Sequence, residues 1–129
     1  MKINLLVSGP LYASQSAYSA LRFCQAAVAT GHTISQVFFY QDGVTQASRL
    51  SVPLDDEFNA HDQWLAFAEQ NPVPLVICIS AGERRGVMSD AQASEYQLGA
   101  GNAPNGFSVA GLGSLHQASL GSDRTVTFK

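Results

Sequence analysis

The residues best suited to chemistry in this chain lie between Pro74 and Val87, where Cys78 is followed by Ser80-Ala81-Gly82 and then by Arg84-Arg85. A cysteine reacts as its thiolate, which is the attacking species in sulfur transfer and in disulfide exchange alike. The amides of Ser80, Ala81 and Gly82 and the guanidinium groups of Arg84 and Arg85 are groups that favour such an anion. Moving a thiol pKa by one unit takes about 1.4 kcal/mol, within reach of a positive local field. From the residues alone two readings of Cys78 stay open, a working thiol or the last core residue of a strand. The arginine pair is equally compatible with a solvated turn.

The other candidates are poorer. Ser8-Gly9-Pro10-Leu11-Tyr12-Ala13-Ser14 stands where a phosphate-binding loop of a flavodoxin-like domain would stand, but it has no Gly-x-Gly-x-x-Gly and no Walker lysine, and Pro10 removes a donor. Gly111-Leu112-Gly113 is a weaker cradle still. His32, His61 and His116 are scattered over different elements, so no metal-ligand spacing emerges and no metal is expected. Asp55-Asp56-Glu57 precedes a helix, where carboxylates answer the N-terminal dipole. Cys24 lies at helical spacing with Ala17, Ala20, Leu21, Ala27 and Val28, and so reads as a structural thiol on a buried helix face.

The elements that must position Cys78 follow from the pattern. Leu75–Ile79 is an apolar run bounded by Pro74 and a polar turn, which suits an inner strand covered on both faces. Reactive groups in open α/β sheets gather beyond the carboxyl ends of such strands. Four more strands are expected, over Ile3–Val7, Thr33–Tyr40, Phe107–Ala110 and Thr125–Phe128. Helices are expected from Ser14 or Ser16 to about Thr30, from about Val44 to Ser48, from Glu57 to Gln70, from Asp90 to about Leu98 behind a Ser89/Gln92 capping box, and from Ser114 to Leu120. Alternating strands and helices predict an α/β three-layer sandwich: a mainly parallel five-stranded sheet with helices on both faces. The pattern does not fix strand order.

At 129 residues, 46% hydrophobic and 13% charged, the chain fits one domain spanning 1–129 with a substantial core. A net charge of −3 gives no electrostatic case for gripping nucleic acid directly. Two distant cysteines make no disulfide framework, and Ile3–Val7 is too short for a signal-peptide core or a membrane span, so a reducing, cytoplasmic setting is expected.

Four blocks carry a resemblance. They are Ser8-Gly9-Pro10-x-Tyr12, Val37-Phe38-Phe39-Tyr40-x-x-Gly43-Val44, Cys78-Ile79-Ser80-Ala81-x-x-Arg84-Arg85-Gly86-Val87, and Gly111-Leu112-Gly113-x-Leu115 with Ala118-Ser119-Leu120. In this order the whole chain resembles the sulfurtransferase subunits of the DsrE/DsrF family. The resemblance implies a persulfide carrier in the sulfur relay that 2-thiolates the wobble uridine of tRNA. Cys78 would accept sulfur from a TusA-like donor and pass it to a TusE-like acceptor. The chain would work within a heterohexamer, two copies each of itself, a TusB-like and a TusC-like subunit, with no direct nucleic-acid or membrane contact. No cofactor is implied, because neither transfer step needs one. Ser80, Ala81, Gly82, Arg84 and Arg85 would support the anion. Glu83 and His116 depart from the family pattern, and Cys24 carries no family role. Three alternatives stand beside this reading: a DsrE-type carrier in sulfur oxidation, a structural subunit in which Cys78 only packs, and a nucleotide-binding domain using the Ser8–Ser14 loop.

Overall fold

A computed structural model describes the whole chain, Met1–Lys129. Five strands, β1 (Lys2–Val7), β2 (Thr33–Phe39), β3 (Leu75–Cys78), β4 (Phe107–Ala110) and β5 (Arg124–Phe128), form one sheet in the order β4-β3-β2-β1-β5. Every pairing is parallel. The helices are α1 (Ser16–Ala29), α2 (Ala60–Gln70), α3 (Ile79–Arg84), α4 (Asp90–Glu95) and α5 (Leu112–Leu120), with a 3-10 helix over Gln41–Ala47.

The order explains the layers. From β1 to β4 the chain steps in one direction across the sheet, so right-handed crossovers put their helices on one face. The connection from β4 to β5 runs back past three strands to the far edge, which sends α5 to the opposite face. Side-chain contacts agree. Phe39 of β2 meets Trp64 of α2 edge-on at 5.4 Å between ring centres, and Phe23 of α1 lies 5.6 Å from Phe128 of β5. On the other face, Asn4 of β1 donates to Ser119 of α5 at 3.4 Å, and Ser114 of α5 donates to Gln36 of β2 at 3.2 Å.

The core lies between the sheet and α1/α2. Leu5, Val7, Val37, Phe39, Leu75 and Ile77 supply the sheet side, and Ala17, Ala20, Leu21, Cys24 and Trp64 the helix side. The small residues of α1 let that helix approach the sheet closely, as the spacing predicts. Trp64 also donates its indole N–H to Gln46 Oε1 at 2.8 Å, and Gln46 Nε2 donates to the Gly9 carbonyl at 3.2 Å. The buried amide of the 3-10 helix thereby has partners on both sides, as a buried polar group requires.

Several boundaries differ from the sequence expectation. Helix α2 begins at Ala60 rather than Glu57, because Asn59 caps it by accepting from the Asp62 N–H at 3.1 Å. Glu57 instead closes the preceding turn, accepting from the Leu54 N–H at 3.2 Å. Helix α4 has the expected capping box but stops at Glu95: Gln97 takes a left-handed φ of 59°, and the Leu98 N–H turns back to the Ala93 carbonyl at 2.8 Å. The 3-10 helix starts at Gln41 rather than Val44, and α5 starts at Leu112, with Gly111 as its N-cap, rather than at Ser114.

The largest departure is at Cys78 itself. Strand β3 ends there, and Ile79 opens a helix where an open turn was expected. That helix closes with a Schellman motif: the Val87 N–H reaches the Gly82 carbonyl at 2.8 Å, the Gly86 N–H reaches the Glu83 carbonyl at 3.4 Å, and Gly86 has a φ of 68°. Arg84-Arg85-Gly86-Val87 is thus the end of a helix rather than a solvated turn. Cationic side chains in the last turn, glycine just past it and an apolar residue next are the signals that mark it.

Candidate active site

Cys78 is the N-cap of α3, placed at the carboxyl end of an inner strand between β2 and β4. Its register partner on β4 is Ala110. Alternation along β3 puts Cys78 and Val76 on the sheet face that carries α5, while Leu75 and Ile77 face α1 and α2. The residue is 1% exposed. The nearest polar partner of Sγ is Ser80 Oγ, at 3.7 Å. Ser80 itself is exposed, as is Ile79, so the thiol sits one side chain below the surface. Both cysteines are free.

A helix leaves its first amides without intrahelical partners. Here those are the N–H groups of Ile79, Ser80 and Ala81, while helix geometry commits the Gly82 N–H to the Cys78 carbonyl. Ile79 therefore joins the set of nearby donors, which its sequence position could not reveal while the helix start was hidden. The thiol makes no hydrogen bond to these amides; its one contact of that kind is Ser80. Gly82 has a packing role instead. A Cβ there would stand 2.5 Å from the Val87 carbonyl oxygen, so only glycine lets the chain fold back beneath α3.

The arginines separate. Arg85 donates through Nε to Asp42 Oδ1 at 2.8 Å and through Nη1 to the Ala81 carbonyl at 3.2 Å. It ties α3 to the 3-10 helix that follows β2. Arg84 is exposed and forms no ion pair. Glu83 turns to α4, accepting from Gln92 Nε2 at 3.2 Å and from the Tyr96 hydroxyl at 3.1 Å. That hydrogen bond, together with the carboxylate charge, raises the Tyr96 pKa. Because the Arg85–Asp42 pair is partly solvated, Arg85→Ala should cost only about 0.5–1 kcal/mol, read as a lower urea midpoint at unchanged m-value. A loss beyond about 2 kcal/mol would mean that the clamp holds more than one helix end.

Gly43 completes the frame. Its amide bonds the Tyr40 carbonyl, and a Cβ at this position would collide with the Val7 carbonyl. The glycine of the Phe-Phe-x-x-x-Gly-Val block is thus required by the close passage of the β2 exit over the end of β1. The remaining candidates do not converge on Cys78. His61 stacks on Phe107, His32 Nδ1 lies 2.8 Å from the N-terminal amine, and His116 lies on α5. No three histidine, cysteine, aspartate or glutamate side chains gather as a metal site would require.

The sequence profile of the DsrE/DsrF-like family matches residues 1–128. The chain belongs to this family. Among curated DsrE/DsrF-like relatives it is 48% identical to a protein of Vibrio parahaemolyticus named sulfurtransferase TusD homolog, over 97% of this chain and 95% of the relative. It is 45% identical to the sulfurtransferase TusD of Serratia proteamaculans, over 96% of each chain. In three dimensions it superposes on the crystal structure of the ychN protein from E. coli with a TM-score of 0.78, covering 99% of both chains at 23% identity, which speaks for the fold. These relatives support a sulfur-transfer role for the DsrE/DsrF-like chain. No helix in it is long and apolar enough to cross a membrane.

Proposed function

We propose that this chain is a persulfide-carrying sulfurtransferase subunit, with Cys78 as the sulfur carrier. The observation that carries the reading is the position of Cys78: a free thiol at the carboxyl end of an inner strand and the N-cap of a short helix. In the first step the Cys78 thiolate attacks the outer, sulfane sulfur of a donor persulfide. A new S–S bond forms, the donor's S–S bond breaks, and the donor cysteine leaves as thiolate, so Cys78 carries –S–SH. An acceptor thiolate then attacks that terminal sulfur and releases Cys78. The exchange is redox-neutral overall and calls for no metal or organic cofactor.

The free amides of Ile79, Ser80 and Ala81, the Ser80 hydroxyl and the unpaired side chain of Arg84 are the groups available to hold the persulfide anion, while Arg85 is committed to Asp42 and the Ala81 carbonyl. Access is the physical demand. A six-residue helix has little stability of its own. Opening its first turn, where Ile79 is 40% exposed, would bring the sulfur to the surface while the Schellman turn and Arg85 keep the other end in place. The relatives' names extend to sulfur transfer. Beyond that, the reading places the chain in the relay that 2-thiolates wobble uridine, with a TusA-like donor, a TusE-like acceptor and TusB-like and TusC-like subunits as partners, as the resemblance of its sequence blocks implies. A charge of −3 suits exchange between proteins better than direct RNA binding.

A second reading has one observation in its favour. Cys78 is 1% exposed, as a structural cysteine in a partner-only subunit would be. Intact mass separates the two. After incubation with a protein persulfide donor and removal of excess, the chain should gain one sulfur atom, and a thiol reductant should remove it. An unchanged mass favours the structural reading.

A further inference from the structure

A cavity of about 380 Å³ opens between the loop after β1, the first turns of α1 and the segment that precedes α2. Its walls include the rings of Tyr12, Tyr18 and Phe58, with Glu57, Ser14 and Gln15 at the rim. Tyr18 and Phe58 meet edge-on at 5.3 Å, and the Tyr12 hydroxyl donates to the Phe58 carbonyl at 3.2 Å, so the aromatic walls brace one another. Tyr12 holds a left-handed φ of 65°, a costly conformation for a bulky side chain, which is what places its ring on this wall. Glu57 uses Oε2 to accept from the Leu54 N–H, and Oε1 has no partner.

We propose that this cavity takes a single arginine or lysine side chain from a partner protein. Aromatic faces with one carboxylate are the arrangement that attracts a cation, through the ring quadrupole and direct charge pairing. Tyr18 already attracts one from outside the cavity: the Arg22 guanidinium lies 5.6 Å from its ring centre and donates to its hydroxyl at 2.9 Å. Asp55 and Asp56, both exposed beside Glu57, add negative potential that welcomes a cation and repels a phosphate. A protein is the expected source, because Leu54, whose N–H is held by Glu57, is 70% exposed and offers apolar contact beside the rim. The inference stands independently of the chemistry at Cys78.

The test follows aromatic side-chain resonances of the full chain by NMR during titration with N-acetyl-arginine amide, N-acetyl-citrulline amide and uridine monophosphate. The arginine amide should shift the Tyr12 and Phe58 ring signals saturably, and neutral citrulline, which has the same shape, should bind about tenfold more weakly. Glu57→Gln can still accept from Leu54 and should weaken arginine binding about fivefold. Tyr12→Phe keeps the ring and should retain it. An arginine flanked by leucines in a short peptide should bind more tightly than the amide. No saturable shift, equal binding of citrulline, an unaffected Glu57→Gln variant, a uridine response exceeding that of arginine, or no gain from the flanking leucines would each overturn the proposal.

Discussion

Cys78→Ser should abolish sulfur loading while leaving the fold intact. The substitution changes one atom; 3.7 Å suits sulfur but is too long for a hydroxyl, so the exposed Ser80 side chain turns inward to give the buried serine its partner. Thermal unfolding should stay within about 1 kcal/mol of the parent, since no cavity opens. Reactivity changes completely, because an alkoxide is inaccessible at neutral pH and oxygen does not attack a sulfane sulfur as a thiolate does. Incubation with radiolabelled persulfide donor should therefore label the parent chain and leave the variant blank, with Cys24→Ala labelling like the parent. Label retained on folded Cys78→Ser would remove Cys78 from the mechanism. If Cys24→Ala instead lost the label while still folded, the two cysteines would have to exchange roles.

That assignment could be read far into the sequence, and the point where it stopped has a physical cause. Leu75, Val76 and Ile77 announce a strand buried on both faces, and a strand of that kind ends at the functional edge of a parallel sheet, so the place of Cys78 was legible. The helix after it was not. Gly82 breaks the helical expectation, and its reason lies outside local sequence: the Val87 carbonyl returns against it from the far side of the turn. The same holds for Arg85, whose partner Asp42 is 43 residues away. A pair of arginines six and seven residues beyond a thiolate candidate reads as a local field, whereas the fold spends one of them on a clamp. Strand order was unreadable for a related reason. Each strand's pattern shows that it is buried, not beside which neighbour, and only the long return from β4 to β5 breaks the sequential order. The α1 face, by contrast, was legible residue by residue, because its small side chains at helical spacing admit only close packing on a sheet.

The burial of α1 also makes the protein sensitive to alkaline pH through Cys24. Burial pushes this thiol from an ordinary value of 9.0 up to about 12. The folded state thus holds its proton more tightly than the unfolded state, and the stability this represents is fully present below pH 9. As pH rises from 9 towards 12 the unfolded chain loses its proton first, and stability falls by up to about 1.4 kcal/mol per pH unit, or about 4 kcal/mol in all. For a domain whose total stability is about 5–15 kcal/mol that is a large share. Tyr12 and Tyr96, whose values are also raised, act in the same direction but only near and above pH 10. The decisive window is pH 9 to 10. Cys24→Ala should cost about 1 kcal/mol at pH 7 for the small void it leaves, yet lose stability in that window much more slowly than the parent. The two urea-denaturation curves should then converge as pH rises. A parent and a variant that decline in parallel would show that α1 opens to solvent too readily for its buried thiol to govern alkaline stability.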